Sequence, residues 1–189
     1  MSEHQIFGFF IQDKLIEEYN LMKDKSYTGV YDAFTKYNMN IQIKTNKNKT
    51  AIYMGDIKRN FSKDEPFILI IYNYDSNYNH IKTYFILVDD YKKYNELFYF
   101  DEYDEFCDEF KNISNSHEDD SKWKLLRLKY TKRYKEKHKL TRMNPKRDHK
   151  KQKRIQCSIP YKFLKEFMDN FKVLTEEEFN NLNLKGELK

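Results

Sequence analysis

Hydrophobic and polar positions change their period along the chain, and the changes mark out its elements. Over residues 6–20 apolar side chains recur at Ile6, Phe9, Phe10, Ile16 and Tyr19, close to the spacing of a helix packed by one face. Residues 27–34, 40–45, 51–54, 67–74 and 83–88 are rich in β-branched and aromatic side chains and are separated by Asn- and Lys-rich turns, so they read as strands. FILIIYNY at 67–74 is continuously apolar, as expected of a central strand covered on both faces. Helical spacing returns over 94–110, and again over 122–139 with Trp123, Leu126 and Tyr130. Residues 154–159 alternate Ile155, Cys157 and Ile159 on one face; Pro160 then opens a helix with Phe163, Leu164, Phe167, Met168 and Phe171 inward. Thr175 followed by Glu178 forms a capping-box pattern for a last short helix. The order predicts an α/β fold, a mixed central β-sheet flanked by helices, with a helical and basic C-terminal elaboration.

Composition narrows this picture. The 189 residues fit a single domain, with a core over about 1–90 and a basic elaboration over about 122–172. Aromatic content of 17% argues for a folded chain despite a mean hydropathy of -0.97. Abundant Asn and Lys beside four Gly and three Pro point to an A/T-rich coding sequence, so raw lysine counts carry little weight. Two cysteines, Cys107 and Cys157, exclude a disulfide framework and a Cys-rich zinc site, and they suit a reducing cytoplasm. The longest apolar run, 67–72, is too short to span a bilayer, and the first residues lack the succession of a signal peptide, so no membrane association is expected.

Charge is segregated. Asp101, Glu102, Asp104, Glu105, Asp108, Glu109, Glu118, Asp119 and Asp120 make an acidic block. Over 122–154 sixteen Lys and Arg then face two acids, Glu136 and Asp148, which suits a polyanionic partner or, more simply, a solvated face. Lys146, Arg147, Lys150, Lys151, Lys153 and Arg154 cluster just before the late strand and are candidates for DNA phosphates. Arg147 or Arg154 could alternatively read guanine, and Gln152 or Gln156 adenine. His138 and His149 lack a second ligand pair at zinc spacing and read as polar surface residues; Trp123 and the two cysteines read as packing residues.

The chemistry-bearing pattern is TGVYDAF at 28–34 followed by NIQIKT at 40–45. If both are strands, Asp32 shares a face with Val30, and Gln42 and Lys44, two apart, project to a common side. A hairpin would bring a carboxylate, an amide oxygen and an ammonium group together. A carboxylate and a neutral carbonyl can hold Mg²⁺, and a neighbouring lysine can orient water and stabilise charge on phosphorus.

These residues resemble the PD-(D/E)XK nuclease superfamily in its QxK form: Asp32 on one strand, then Gln42-Ile43-Lys44 on the next. A helix ahead of the acid strand, and the basic connection MGDIKRNFSKDEP before the apolar strand, extend the likeness over about residues 1–90. The resemblance implies a restriction-endonuclease-like fold, Asp32 and Gln42 as ligands of Mg²⁺, Lys44 as a catalytic group, and a further acid from the preceding helix. Gln12, Asp13, Glu17 and Glu18 are available there, and Glu17 is favoured. It further implies cleavage of double-stranded DNA, as in type II restriction enzymes acting as homodimers. The glutamine removes one negative charge from the majority form of the motif. Two other readings stay open: a catalytically idle nucleic-acid-binding relative, and a structural or viral accessory protein whose charge blocks bind other proteins.

Overall fold

In the computed structural model, which describes residues 3–24, 30–114, 117–147 and 153–186, the chain begins with helix α1 (Glu3–Glu18) and two short strands, β1 (Met22–Lys23) and β2 (Ala33–Phe34). β3 (Asn40–Lys47), β4 (Ile52–Asp56), α2 (Ile57–Phe61), β5 (Phe67–Tyr74) and β6 (His80–Val88) follow. The second half contains α3 (Tyr91–Glu96), α4 (Tyr103–Lys111), α5 (Asp120–Lys137), β7 (Arg142–Arg147), β8 (Lys153–Ile159), α6 (Leu164–Met168), β9 (Lys172–Leu174) and α7 (Glu176–Lys185). The fold is mixed α/β, and its larger sheet is mixed. The chain divides into two compact units: Met1–Ile52 with Asp64–Tyr91 and Tyr161–Lys189, and Tyr53–Lys63 with Lys92–Pro160.

The first unit is built on a six-stranded sheet in the order β1-β2-β3-β5-β6-β9. Its neighbours are antiparallel except β3 and β5, which run parallel and are joined through β4 and α2. All eight residues of β5 are buried, Asn73 included, as the apolar run over 67–72 leads one to expect. The parallel register sets Ile41 beside Ile68 and Ile43 beside Ile70, and Phe85 and Leu87 continue that face. Ile11, Leu15 and Tyr19 of the α1 segment, with Phe179 and Leu182 of α7, close over it. Tyr19 meets both Phe85 and Phe179 edge-on, at 5.5 and 5.1 Å. Since alternate side chains oppose one another, Asn40, Gln42 and Lys44 are left on the other face of β3. At α7 both capping-box bonds form: Glu178 N–H donates to Thr175 Oγ1 at 3.1 Å, and Thr175 N–H to Glu178 Oε2 at 2.8 Å.

Four sequence expectations need correction. In α1 the packed stripe runs through Phe7, Ile11 and Leu15, while Ile6, Phe9 and Phe10 are exposed; FGFFI is apolar all round, so its period does not choose a face and the sheet does. The strand expected over 27–34 is confined to Ala33–Phe34. Val30–Asp32 form a bend, and 25–29 lie outside the described residues. The helix expected over 94–110 is two helices, because Phe98 and Phe100 both turn into the core and two residues that far apart cannot share a helical face. Finally, β7 and β9 appear where no strand was expected. Pro145 lies within β7, which is the edge of a sheet ordered β4-β8-β7, where a missing N–H is tolerated.

Within the second unit the acidic block folds onto the basic helix. Lys129 meets Glu109 at 2.7 Å, Arg133 meets Glu102 at 2.5 Å, Lys137 meets Asp101 at 2.6 Å and Lys122 meets Asp119 at 2.9 Å. Under them Tyr130 is fully buried against Phe106 and Phe100, and its hydroxyl donates to Glu105 and Glu109 at 2.7 and 2.6 Å.

Candidate functional site

Asp32 sits where the β2–β3 ladder stops. Its own N–H donates to Ile41 O at 2.8 Å, the last backbone bond of the pairing. One step further, the Ile43 N–H has no β2 partner, and the Asp32 side chain replaces it: Oδ2 accepts from Ile43 N–H at 2.6 Å. The carboxylate is thereby tied to the strand that carries the other two motif residues. Lys44 Nζ lies 3.9 Å from the same oxygen, with the two side chains 20% and 25% exposed. Asp32 and Lys44 are therefore together in space, although a bend rather than an extended strand puts Asp32 there.

Gln42 is 6% exposed, and its Oε1 accepts no hydrogen bond among the described residues. A buried carbonyl oxygen left without a donor is costly unless something electropositive meets it. Glu17 does not take part in this geometry: it is exposed, and the α1 residue that meets Asp32 is Gln12, whose Nε2 donates to Oδ1 at 3.4 Å. The step of five positions from Gln12 to Glu17 turns the helix roughly 140° beyond a full turn, so the two face different ways. Gln12 was within reach of sequence reasoning as one of four polar candidates on this helix, but choosing it required knowing which stripe packs.

The donor set can be weighed against Mg²⁺. Among the described residues no cluster of three or more His, Cys, Asp or Glu side chains is placed to hold a metal ion. Glu65, the carboxylate near Asn40 on the same strand, accepts from Asn40 Nδ2 at 2.9 Å. What remains is one carboxylate and one amide oxygen, both hard donors of the kind Mg²⁺ takes, with most coordination positions left to water and phosphate. The orphaned Gln42 oxygen makes the set fit in kind.

The basic segment is divided. Lys146 is exposed and lies over the Tyr53 ring, 5.6 Å from its centroid. Arg147 is held inside its own unit: its guanidinium pairs with Asp120, donates to Ser114 O at 3.0 Å and covers Trp123. It is therefore committed to packing and is poorly placed to read a base. Arg154 is exposed on β8, opposite Lys146, and Gln156 is half-buried opposite Asn144. Lys150 and Lys151, with Gln152 and His149, lie outside the described residues; Lys153 is the first residue of β8. Trp123 stacks on Phe110 at 4.7 Å, and Cys157 is fully buried. His138 is no ordinary surface residue: it is half-buried against Tyr134 at 4.4 Å, and burial lowers its pKa from the usual imidazole value. Lys122 and the Ser114 N–H hold the Asp119 carboxyl down to about 2.

No protein-family model, curated protein or solved structure matches this chain. Among the described residues no helix is long and apolar enough to cross a membrane.

Proposed function

We propose that Asp32, Gln42 and Lys44 form a centre that hydrolyses DNA phosphodiester bonds with Mg²⁺, as in the PD-(D/E)XK nucleases that the sequence resembles. The observation that supports it is the placement of the Asp32 carboxylate 3.9 Å from the Lys44 ammonium, beside a strand whose buried Gln42 Oε1 has no partner among the described residues. Asp32 Oδ1 and Gln42 Oε1 would hold the ion. When bound, Mg²⁺ supplies charge neutralisation at the phosphate and acidifies a water.

The chain's own groups do the rest. Ile43 N–H fixes the Asp32 carboxylate before substrate arrives, so little reorganisation is needed. Lys44 Nζ orients the attacking water by donating to it and offsets negative charge building on phosphorus. A palindromic target would require two copies related by a two-fold axis, and two free cysteines suit work in the cytoplasm.

One observation favours a second reading, a relative that binds nucleic acid without cutting it: Asp32 Oδ2 is already committed to a backbone N–H, and among the described residues the centre has a single carboxylate. Plasmid cleavage decides between them. Under the first reading the purified protein cuts supercoiled DNA with Mg²⁺, stops with EDTA, and loses activity as Lys44→Met. Binding that weakens with salt and no cleavage under any divalent cation selects the second.

A further inference from the structure

Helix α5 carries eight cations, and the fold sorts them. Lys122, Lys129, Arg133 and Lys137 fall on one side, and every one is paired with an acid. Lys124, Arg127, Lys132 and Lys135 fall on nearly the opposite side, as 3.6 residues per turn dictates. All four are exposed, and among the described residues none of them is paired with a carboxylate. Glu136, one turn from Lys132, forms no ion pair with it.

This unneutralised stripe is not a convex solvated face. With β7 it lines a groove of about 610 Å³, whose opposite wall includes Arg142 and Asn144. Among the described residues no acid lines that groove. Arg142 braces it, donating to the carbonyls of His138, Lys139 and Thr141 at the end of α5.

We propose that the groove between α5 and β7 carries the sugar–phosphate backbone of a nucleic-acid duplex, and does so without reading its sequence. From Lys124 to Lys135 the helix rises about 16 Å. That is the axial run of about five phosphates on one DNA strand, so four cations come close to the charge of the one strand that the groove would hold. The uncharged polar groups that could read base edges are already used. Thr131 Oγ1 donates to Arg127 O at 2.7 Å, and Asn144 Nδ2 donates to Ser158 Oγ at 2.8 Å. Among the described residues no aromatic side chain lines the groove, so a single strand would find no stacking platform there, which favours a duplex. A membrane is the less fitting partner, because the lining is concave and Leu128 is its exposed apolar residue. The proposal goes beyond the Asp32 centre and does not depend on cleavage there.

The test is fluorescence anisotropy of a labelled DNA duplex with the full chain in EDTA, across a salt series. The quadruple variant K124A/R127A/K132A/K135A is compared with K150A/K151A/K153A and with a charge-matched control, K36A/K162A/K165A/K185A. All four groove positions are exposed, and a matching Lys→Gln and Arg→Gln set, checked by circular dichroism, guards against loss of fold. The groove variant should bind every duplex sequence more weakly. Its log-log salt slope should flatten by about 0.9 for each phosphate it no longer neutralises, up to about 3.6, while the control keeps the parental slope. A duplex RNA of the same sequence should lose affinity in parallel. A parental slope in both groove variants overturns the proposal, as does tighter binding of single strands than of duplex. Binding of phosphatidylserine vesicles without binding of duplex overturns it too.

Discussion

Replacing Asp32 by Ala and by Asn should separate what this carboxylate does for the fold from what it does for chemistry. In the fold it accepts a charge-assisted bond from Ile43 N–H at 2.6 Å, on a residue that is 6% exposed. Leaving that donor unpaired costs about 1.5–3 kcal/mol. The ion pair with Lys44 is longer, 3.9 Å, and partly solvated, so it adds at most about 1 kcal/mol. Asp32→Ala should therefore destabilise by about 2–3 kcal/mol, a fall of roughly 4–12 °C in Tm for a chain of this size. Asp32→Asn keeps an acceptor oxygen in place and should cost under about 1 kcal/mol. Chemically the two are alike, since neither offers an anionic ligand, and both should lose Mg²⁺-dependent cleavage. Thermal unfolding and plasmid cleavage on the same preparations read the two effects. An Asp32→Ala protein that melts with the parent would refute the tether to Ile43, and an Asp32→Asn protein that cuts at the parental rate would remove the carboxylate from the mechanism.

Gln42→Glu should restore a second anionic oxygen and lower the Mg²⁺ concentration needed for half-maximal cleavage; a higher requirement would mean that the Gln42 oxygen does not face the ion. Acidification should loosen the acid-paired face of α5. Hydrogen bonds from Lys137, Lys129 and Lys122 hold the Asp101, Glu109 and Asp119 carboxyls down, Asp119 from an ordinary 3.8 to about 2, so the stability these three contribute is complete above the ordinary carboxylate range and is lost as pH falls towards 2. Trp123, the chain's single tryptophan, stacks on Phe110 in that unit and should report the change in fluorescence between about pH 4 and 2; emission that stays flat to pH 2 contradicts it. Thr175→Ala removes an N-cap with both box bonds formed and should cost about 1 kcal/mol in urea unfolding, whereas no change would show that α7 is held by packing alone. Arg147→Ala should lower stability and leave DNA sequence preference as it was; relaxed preference at one base pair would assign Arg147 to readout instead.

Some of this molecule is set by local sequence. The continuous apolar run at 67–72 determines a strand buried on both faces, because no other arrangement hides six consecutive side chains of that kind in so short an element. Thr175 and Glu178 determine where α7 starts, because the box is closed within four residues. The parity of Gln42 and Lys44 follows from the strand itself. Tertiary structure decided the rest. Whether Asp32 extends β2 or ends it depended on which group would satisfy Ile43 N–H, a partner eleven positions away. Gln12 rather than Glu17 meets Asp32 because the sheet selects the stripe of α1 that packs, where FGFFI offers apolar groups on every side. Sixteen cations over 122–154 are equivalent in the sequence, and only the fold distinguishes them. The acidic block folds back to neutralise one side of α5 and leaves Lys124, Arg127, Lys132 and Lys135 without a carboxylate among the described residues, because ion pairing depends on distance in space, which the order of residues does not specify.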